Sequence, residues 1–255
     1  MIELCLLIAF IFFIAVLFYR QRRNELEILQ INEDQVADHL PDLLGEQQPI
    51  VIRETPPPYS LTPAGLNQIP RLNPFPVGTL TLGEVLAKPA LAHVAHPLLD
   101  KAARQLLANE LAIPIWANRA WFSRLAASSL LGPFIGTLQC EATIGGLGLR
   151  RCTAARTCIL PTNGTYVASI VSRDSEEFLP NNWEGRAIAT FTANDTPLVR
   201  ELRCMDIVLR PGTMLCVPPH IIVSIDVKKE LSAEEVPMLV WIEYHEPMSL
   251  LATTF

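Results

Sequence analysis

Histidine is scarce in this chain, with 5 in 255 residues, and positive charge is scarcer than negative: 20 Lys and Arg against 26 Asp and Glu, a net charge of −6. No long basic run occurs, which excludes nucleic acid as a primary partner, because phosphate binding needs clustered cations. The 6 cysteines (Cys5, Cys140, Cys152, Cys158, Cys204 and Cys216) show no paired framework. They are expected to be buried thiols in a reducing compartment rather than disulfides. Gly145-Gly-Leu-Gly148 lacks the strand–helix setting and following Lys-Ser/Thr of a phosphate loop, so it reads as a tight turn. No internal repeat or low-complexity tract is present.

What the chain does have is one long apolar run at its start. Every residue from Leu4 to Tyr19 is apolar or aromatic, with Glu3 before the run and Arg20, Arg22 and Arg23 after it. A signal peptide would carry a basic segment before the run and a small-x-small cleavage site after it; neither is seen. The expectation is an uncleaved transmembrane anchor over residues 1–23 that uses the lipid bilayer as a partner. The arginines would put the C-terminal domain on the cytosolic side of a single-pass protein.

Proline is frequent, 21 residues, and clusters at Pro56-Pro57-Pro58 and around Pro70, Pro74 and Pro76. That suits a β-rich body with extended connections. Residues 24–132 read as a helical N-terminal part. Asn24 to Leu44 is expected to be helical, with Asn32 as a cap, Pro49 to Arg53 as a strand, and 81–111 as helix broken near Pro89 and Pro97. His93 and His96 would then share a helix face.

Residues 133–255 read as short strands: 134–144, 157–160, 165–172, 187–192, 207–209, 214–217, 221–227 and 238–244. Eight such strands with Asn163-Gly164 and Pro211-Gly212 turns predict a sandwich or small barrel. The fold class expected is mainly β with flanking helices, α+β, behind the N-terminal helix.

The segment Leu209-Arg-Pro-Gly-Thr-Met-Leu-Cys-Val-Pro-Pro-His220-Ile-Ile-Val-Ser-Ile225 resembles the late motif of cupin-like JmjC domains. There a Pro-Gly-Asp turn leads into a strand ending in Pro, followed by a metal-binding histidine. Residues 31–53 resemble the family's opening helix and Pro-Val-Val-Ile-Arg-like strand. Residues 144–160 stand where the family has its His-x-Asp/Glu pair.

The resemblance implies a double-stranded β-helix, a jelly-roll barrel holding Fe(II) and 2-oxoglutarate in a two-His, one-carboxylate site. In this sequence the expected ligand slots fall on Arg151, Thr153 and Val223, none of which binds iron, and Thr213 replaces the acid of the turn. Arg150, Arg151 and Arg156 then suggest an anion-binding patch at the barrel mouth, with solvated charges as the plainer reading. His220, Glu243 and His245 form an alternative site, since Glu243 and His245 share one strand face.

The function expected is a membrane-anchored, non-catalytic binding or structural module without cofactor. Its protein partner is unidentified, and a virion or organelle membrane is a plausible setting. The alternative is an active Fe(II)/2-oxoglutarate-dependent hydroxylase with atypical ligands.

Overall fold

The computed structural model describes residues 2–20, 27–94, 96–127, 132–228, 234–247 and 249. The opening run is helical, α1 (Ile2–Arg20). Among the described residues no helix is long and apolar enough to cross a membrane. Arg22 and Arg23, the rest of the expected basic flank, lie outside the described residues.

The N-terminal part continues with β1 (Leu29–Asn32), α2 (Val36–Gly45), β2 (Ile50–Arg53), α3 (Pro63–Asn67), β3 (Pro76–Val77), β4 (Leu80–Thr81), α4 (Leu82–Ala87), α5 (Lys101–Glu110), α6 (Ile113–Ala117), α7 (Ser123–Ala126) and α8 (Gly132–Ile135). The expected helix from Asn24 is corrected here. Leu29–Asn32 is a strand that pairs in parallel with β2, and Asn32 instead opens a short 3-10 turn leading into α2. Tertiary pairing overrode the local pattern because Ile31 gains a buried place beside Ile52.

His93 and His96 do not share a helix face. A 3-10 turn ends at Ala92, and His93 Nε2 lies 2.9 Å from the Glu235 carbonyl. α5 begins where the sequence provides a cap, the Asp100 carboxylate accepting from the Ala103 N–H at 2.7 Å.

Eight further strands follow: β5 (Thr137–Ile144), β6 (Gly148–Arg151), β7 (Arg156–Asn163), β8 (Tyr166–Val171), β9 (Cys204–Leu209), β10 (Met214–Val217), β11 (Ile222–Val227) and β12 (Met238–His245). They divide between two sheets, β1-β2-β10-β7-β12-β5 and β6-β11-β8-β9. All pairings among β5–β12 are antiparallel. Successive strands change sheets except at β8–β9. This is the strand order of an eight-stranded jelly roll, a cupin-like fold within a mixed α+β chain. The expected strand over 187–192 is instead a 3-10 turn at Ile188–Thr190, and β6 takes its place in the count.

Alternation along the strands divides two cores. One face of the six-stranded sheet carries Cys140, Ala142, Val240, Ile242, Cys158 and Cys216 against the helices, where Leu40, Leu107, Trp121 and Leu125 pack. The other face meets the four-stranded sheet inside the barrel, where Trp241, Tyr166, Leu215 and Ile225 are buried. Burying such a side chain contributes roughly 1.5–3 kcal/mol, so the two clusters hold the fold. Cys140, Cys152, Cys158 and Cys216 are buried free thiols, while Cys204 is exposed.

Candidate functional site

The barrel interior near the β6–β7 and β10–β11 turns is where chemistry would sit, and period-2 alternation decides what reaches it. Trp241 faces the interior, so Glu243 and His245, two and four residues on, share its face. Glu141 on β5 lies directly across from Trp241. Thr157 on β7 lies across from Glu243.

Glu141, Trp241, Glu243 and His245 join Arg104 and Arg150 in one network. Arg104 of α5 donates from Nε to Glu141 Oε2 at 2.6 Å and from Nη1 to the Leu99 carbonyl at 2.6 Å. Arg150 of β6 grips the same carboxylate with two nitrogens, at 2.9 and 3.2 Å. Its Nη2 lies 3.9 Å from Glu243 Oε1, and its guanidinium carbon stands 4.4 Å from the centroid of the Trp241 ring. Trp241 Nε1 donates to Glu243 Oε1 at 2.9 Å, and His245 Nε2 lies 3.4 Å from Glu243 Oε2. Burial alone would raise the Glu243 carboxyl. His245, Trp241 and Arg150 together outweigh it and bring the carboxyl down to about 2. Two guanidinium and two carboxylate groups therefore cancel, and the network joins α5 and both sheets.

Arg151 faces away from the interior: it is ion-paired with Glu176 and lies 5.8 Å from the Trp183 ring centroid. Thr153 is exposed. The inward pair is Arg150 and Cys152, a displacement of one residue from the slots read on the sequence, and one residue exchanges the two faces of a strand. Val223 does face inward, fully buried.

None of the three inward residues fits iron. A guanidinium has no acceptor, burial pushes the Cys152 thiol up to about 12, and valine has no donor atom. Among the described residues no group of three or more His, Cys, Asp or Glu stands close enough to hold a metal ion. The set His220, Glu243 and His245 is corrected accordingly. Glu243 and His245 come together, while His220 lies in the β10–β11 turn at φ +66, its N–H donating to the Cys152 carbonyl at 2.6 Å.

The proposed anion patch is also corrected. Arg150 is committed to Glu141, Arg151 to Glu176, and buried Arg156 donates to the Ala155 carbonyl at 2.5 Å and to the Leu44 carbonyl. The three point to the barrel interior, the outside of the four-stranded sheet and the helical layer respectively, so no common anion meets them.

Arg104, Glu141 and Trp241 were not singled out as one site from the sequence. The available signal was Trp241-x-Glu243-x-His245 on one strand face and a lone acid inside the apolar strand 140–144. A buried carboxylate there requires a cation.

No protein-family model matches the chain, and no curated protein matches it. Among solved structures, hydroquinone 1,2-dioxygenase from Sphingomonas sp. TTNP3 with 4-hydroxybenzoate bound is similar over 44% of this chain, at 18% identity and a TM-score of 0.28. The matched region spans 60% of that enzyme. Protein NMB1881 from Neisseria meningitidis is similar over 43% of this chain and 74% of its own, at 14% identity and a TM-score of 0.24. At these scores neither likeness bears on function, and the jelly-roll assignment rests on strand order.

Proposed function

We propose that this chain is a membrane-anchored relative of the JmjC hydroxylases that has lost iron chemistry and serves as a non-catalytic binding or structural module. The observation that carries this is the barrel interior. Arg150, Cys152 and Val223 stand where ligands would be needed, and the nearby carboxylates are already bound to arginines. A charge-balanced network has no spare acid to offer a cation.

The anchor is supported by α1. Leu4, Leu6, Phe10, Phe13 and Leu17 among its apolar side chains stand 48–65% exposed, with nothing polar beyond Glu3 before Arg20. Its 19 described residues make a helix of about 28 Å, by itself short of the roughly 30 Å of hydrocarbon in a bilayer. Bilayer thinning and snorkelling arginines accommodate that difference. Arg20, Arg22 and Arg23 would face the cytosol, and a virion or organelle membrane is a suitable setting.

The test is iron content and 2-oxoglutarate binding of the full chain, solubilised in detergent under anaerobic conditions with Fe(II) supplied. The expected result is neither stoichiometric iron nor cosubstrate binding. One iron per chain with 2-oxoglutarate bound would overturn the proposal in favour of an active hydroxylase with atypical ligands.

A further inference from the structure

The directions of the strands place three features at one end of the barrel. In the six-stranded sheet β1 and β2 are parallel, β10 opposes β2 and β7, and β12 opposes β7 and β5. The first residues of β1, β5 and β7 and the last of β10 and β12 therefore lie at the same end. The β6–β7 and β10–β11 turns are at this end, because Cys152 and Ile221 join there. So is α8, which stops one residue short of β5. So, finally, is the point where the chain arrives from α1 and enters β1.

α8 is held in place at this end by close packing. An added Cβ on Gly132 or Gly136 would come within 2.5 Å of the Tyr244 hydroxyl. With Gly132 and the following Gly136 turned to Tyr244, the short helix presents Phe134 and Ile135 outward, 84% and 45% exposed. Phe134 is more exposed than any other large apolar side chain described, and with its neighbour Ile135 it makes a contiguous exposed apolar patch.

Chain length says which partner. Residues 21–28 join α1 to β1 and span at most about 30 Å when fully extended. β5 and β12, at 8 residues each, are about 26 Å long. If α1 crosses a bilayer, the β1 end of the barrel lies near the headgroups without strain. The opposite end reaches them only with the connection almost fully stretched and the body turned over.

We infer that the end of the barrel carrying α8 faces the membrane, and that Phe134 and Ile135 enter the headgroup–acyl boundary as a second membrane contact. The inference rests on the anchor proposed above. It gives the module a fixed orientation: the β6–β7 and β10–β11 turns face lipid, and the β7–β8 and β9–β10 turns face away, toward any protein partner. An apolar side chain at such a boundary settles roughly 5–10 Å deep.

The experiment uses the full chain in phosphatidylcholine–phosphatidylserine vesicles containing doxyl lipids. An environment-sensitive fluorescent amino acid replaces Phe134 in one sample and Val208 in another. Val208 is also exposed, at 44%, but lies toward the opposite end, paired with Val167. Both sites are on the surface, so the replacements leave the core intact. The expected result is that both proteins float with the vesicles, with quenching of at least about twofold at position 134 and none at 208. Flotation with no quenching at 134, or with equal quenching at both, overturns the orientation and leaves the anchor standing. Failure of both proteins to float overturns the anchor and the orientation with it.

Discussion

On the flank of the barrel end formed by β8, β10 and β11, the inward residues are Ile170, Val217 and Val223, all buried and uncharged. The flank formed by β5, β6 and β12 presents buried Glu141, Glu243 and His245 with the partly buried Arg150, all charged or polar. The two flanks stand a few ångströms apart and solve burial in opposite ways. The apolar flank loses nothing by excluding water. The charged one is tolerable only because each carboxylate meets a guanidinium and each guanidinium meets a carboxylate. A metal centre needs a third arrangement, ligands with lone pairs facing an open position, and neither flank supplies it. Under the proposed reading, the iron site would be lost for two separate reasons, missing donors on one side and donors committed to arginines on the other.

The comparison breaks most readily at Glu141. Glu141→Ala leaves Arg104 buried without a counter-charge and Arg150 with only the more distant Glu243, and urea denaturation should register a loss of about 3–5 kcal/mol. Val223→Ala, on the apolar flank, removes only methyl groups and should cost about 1–2 kcal/mol. Equal losses at the two positions would show that the network is not what holds its flank together.

Acid provides a finer probe. Because the folded-state value of Glu243 is brought down to about 2 from an ordinary 4.5, its contribution to stability is fully present above about pH 4.5. It is lost as pH falls through about 2, and amounts to at most about 3 kcal/mol. Glu243→Gln should flatten that part of the curve of stability against pH, while Val223→Ala should shift the curve down without changing its shape.

The smallest expected effect concerns Cys204, an exposed residue whose thiol is partly shielded from water and, with the charge of Asp206 beside it, pushed up to about 11. Alkylation followed by mass spectrometry should find it modified before Cys140, Cys152, Cys158 and Cys216, slowly at neutral pH and faster as pH rises. Labelling should leave Tm nearly unchanged.

Much of the barrel was legible from residue pattern. The strands 214–217, 222–227 and 238–245 stand within a residue of where hydrophobic runs and turn signals put them, because a jelly-roll strand is a short apolar run between turn formers. β6 was missed, since Gly148-Leu-Arg-Arg151 has neither the length nor the composition of a strand; pairing with β11 makes it one. β1 was read as helix for the related reason that its partner, β2, lies 21 residues on in sequence.

The site was legible in part. Glu243 and His245 on one face followed directly from alternation, whereas the slots read at Arg151 and Thr153 lie one residue from the inward positions Arg150 and Cys152. Arg104 was not legible, because nothing local to α5 indicates that its guanidinium meets a carboxylate 37 positions away. Nor did the arginines at 150, 151 and 156 declare themselves as three separate commitments. Adjacent residues on a strand face opposite ways, but which way each faces depends on which sheet covers it.

By itself, then, the sequence determined an apolar N-terminal helix, a β-rich body built from short strands, and the alternation that puts Glu243 and His245 on one strand face. Each of these depends on residue type and near-neighbour spacing. Only the tertiary structure decided that the buried charges form one balanced network and that α8 lies at the barrel end where the chain enters β1. Both depend on pairings across long stretches of chain, where the strength of an ion pair or a packed ring is set by distance and burial rather than by neighbours in sequence.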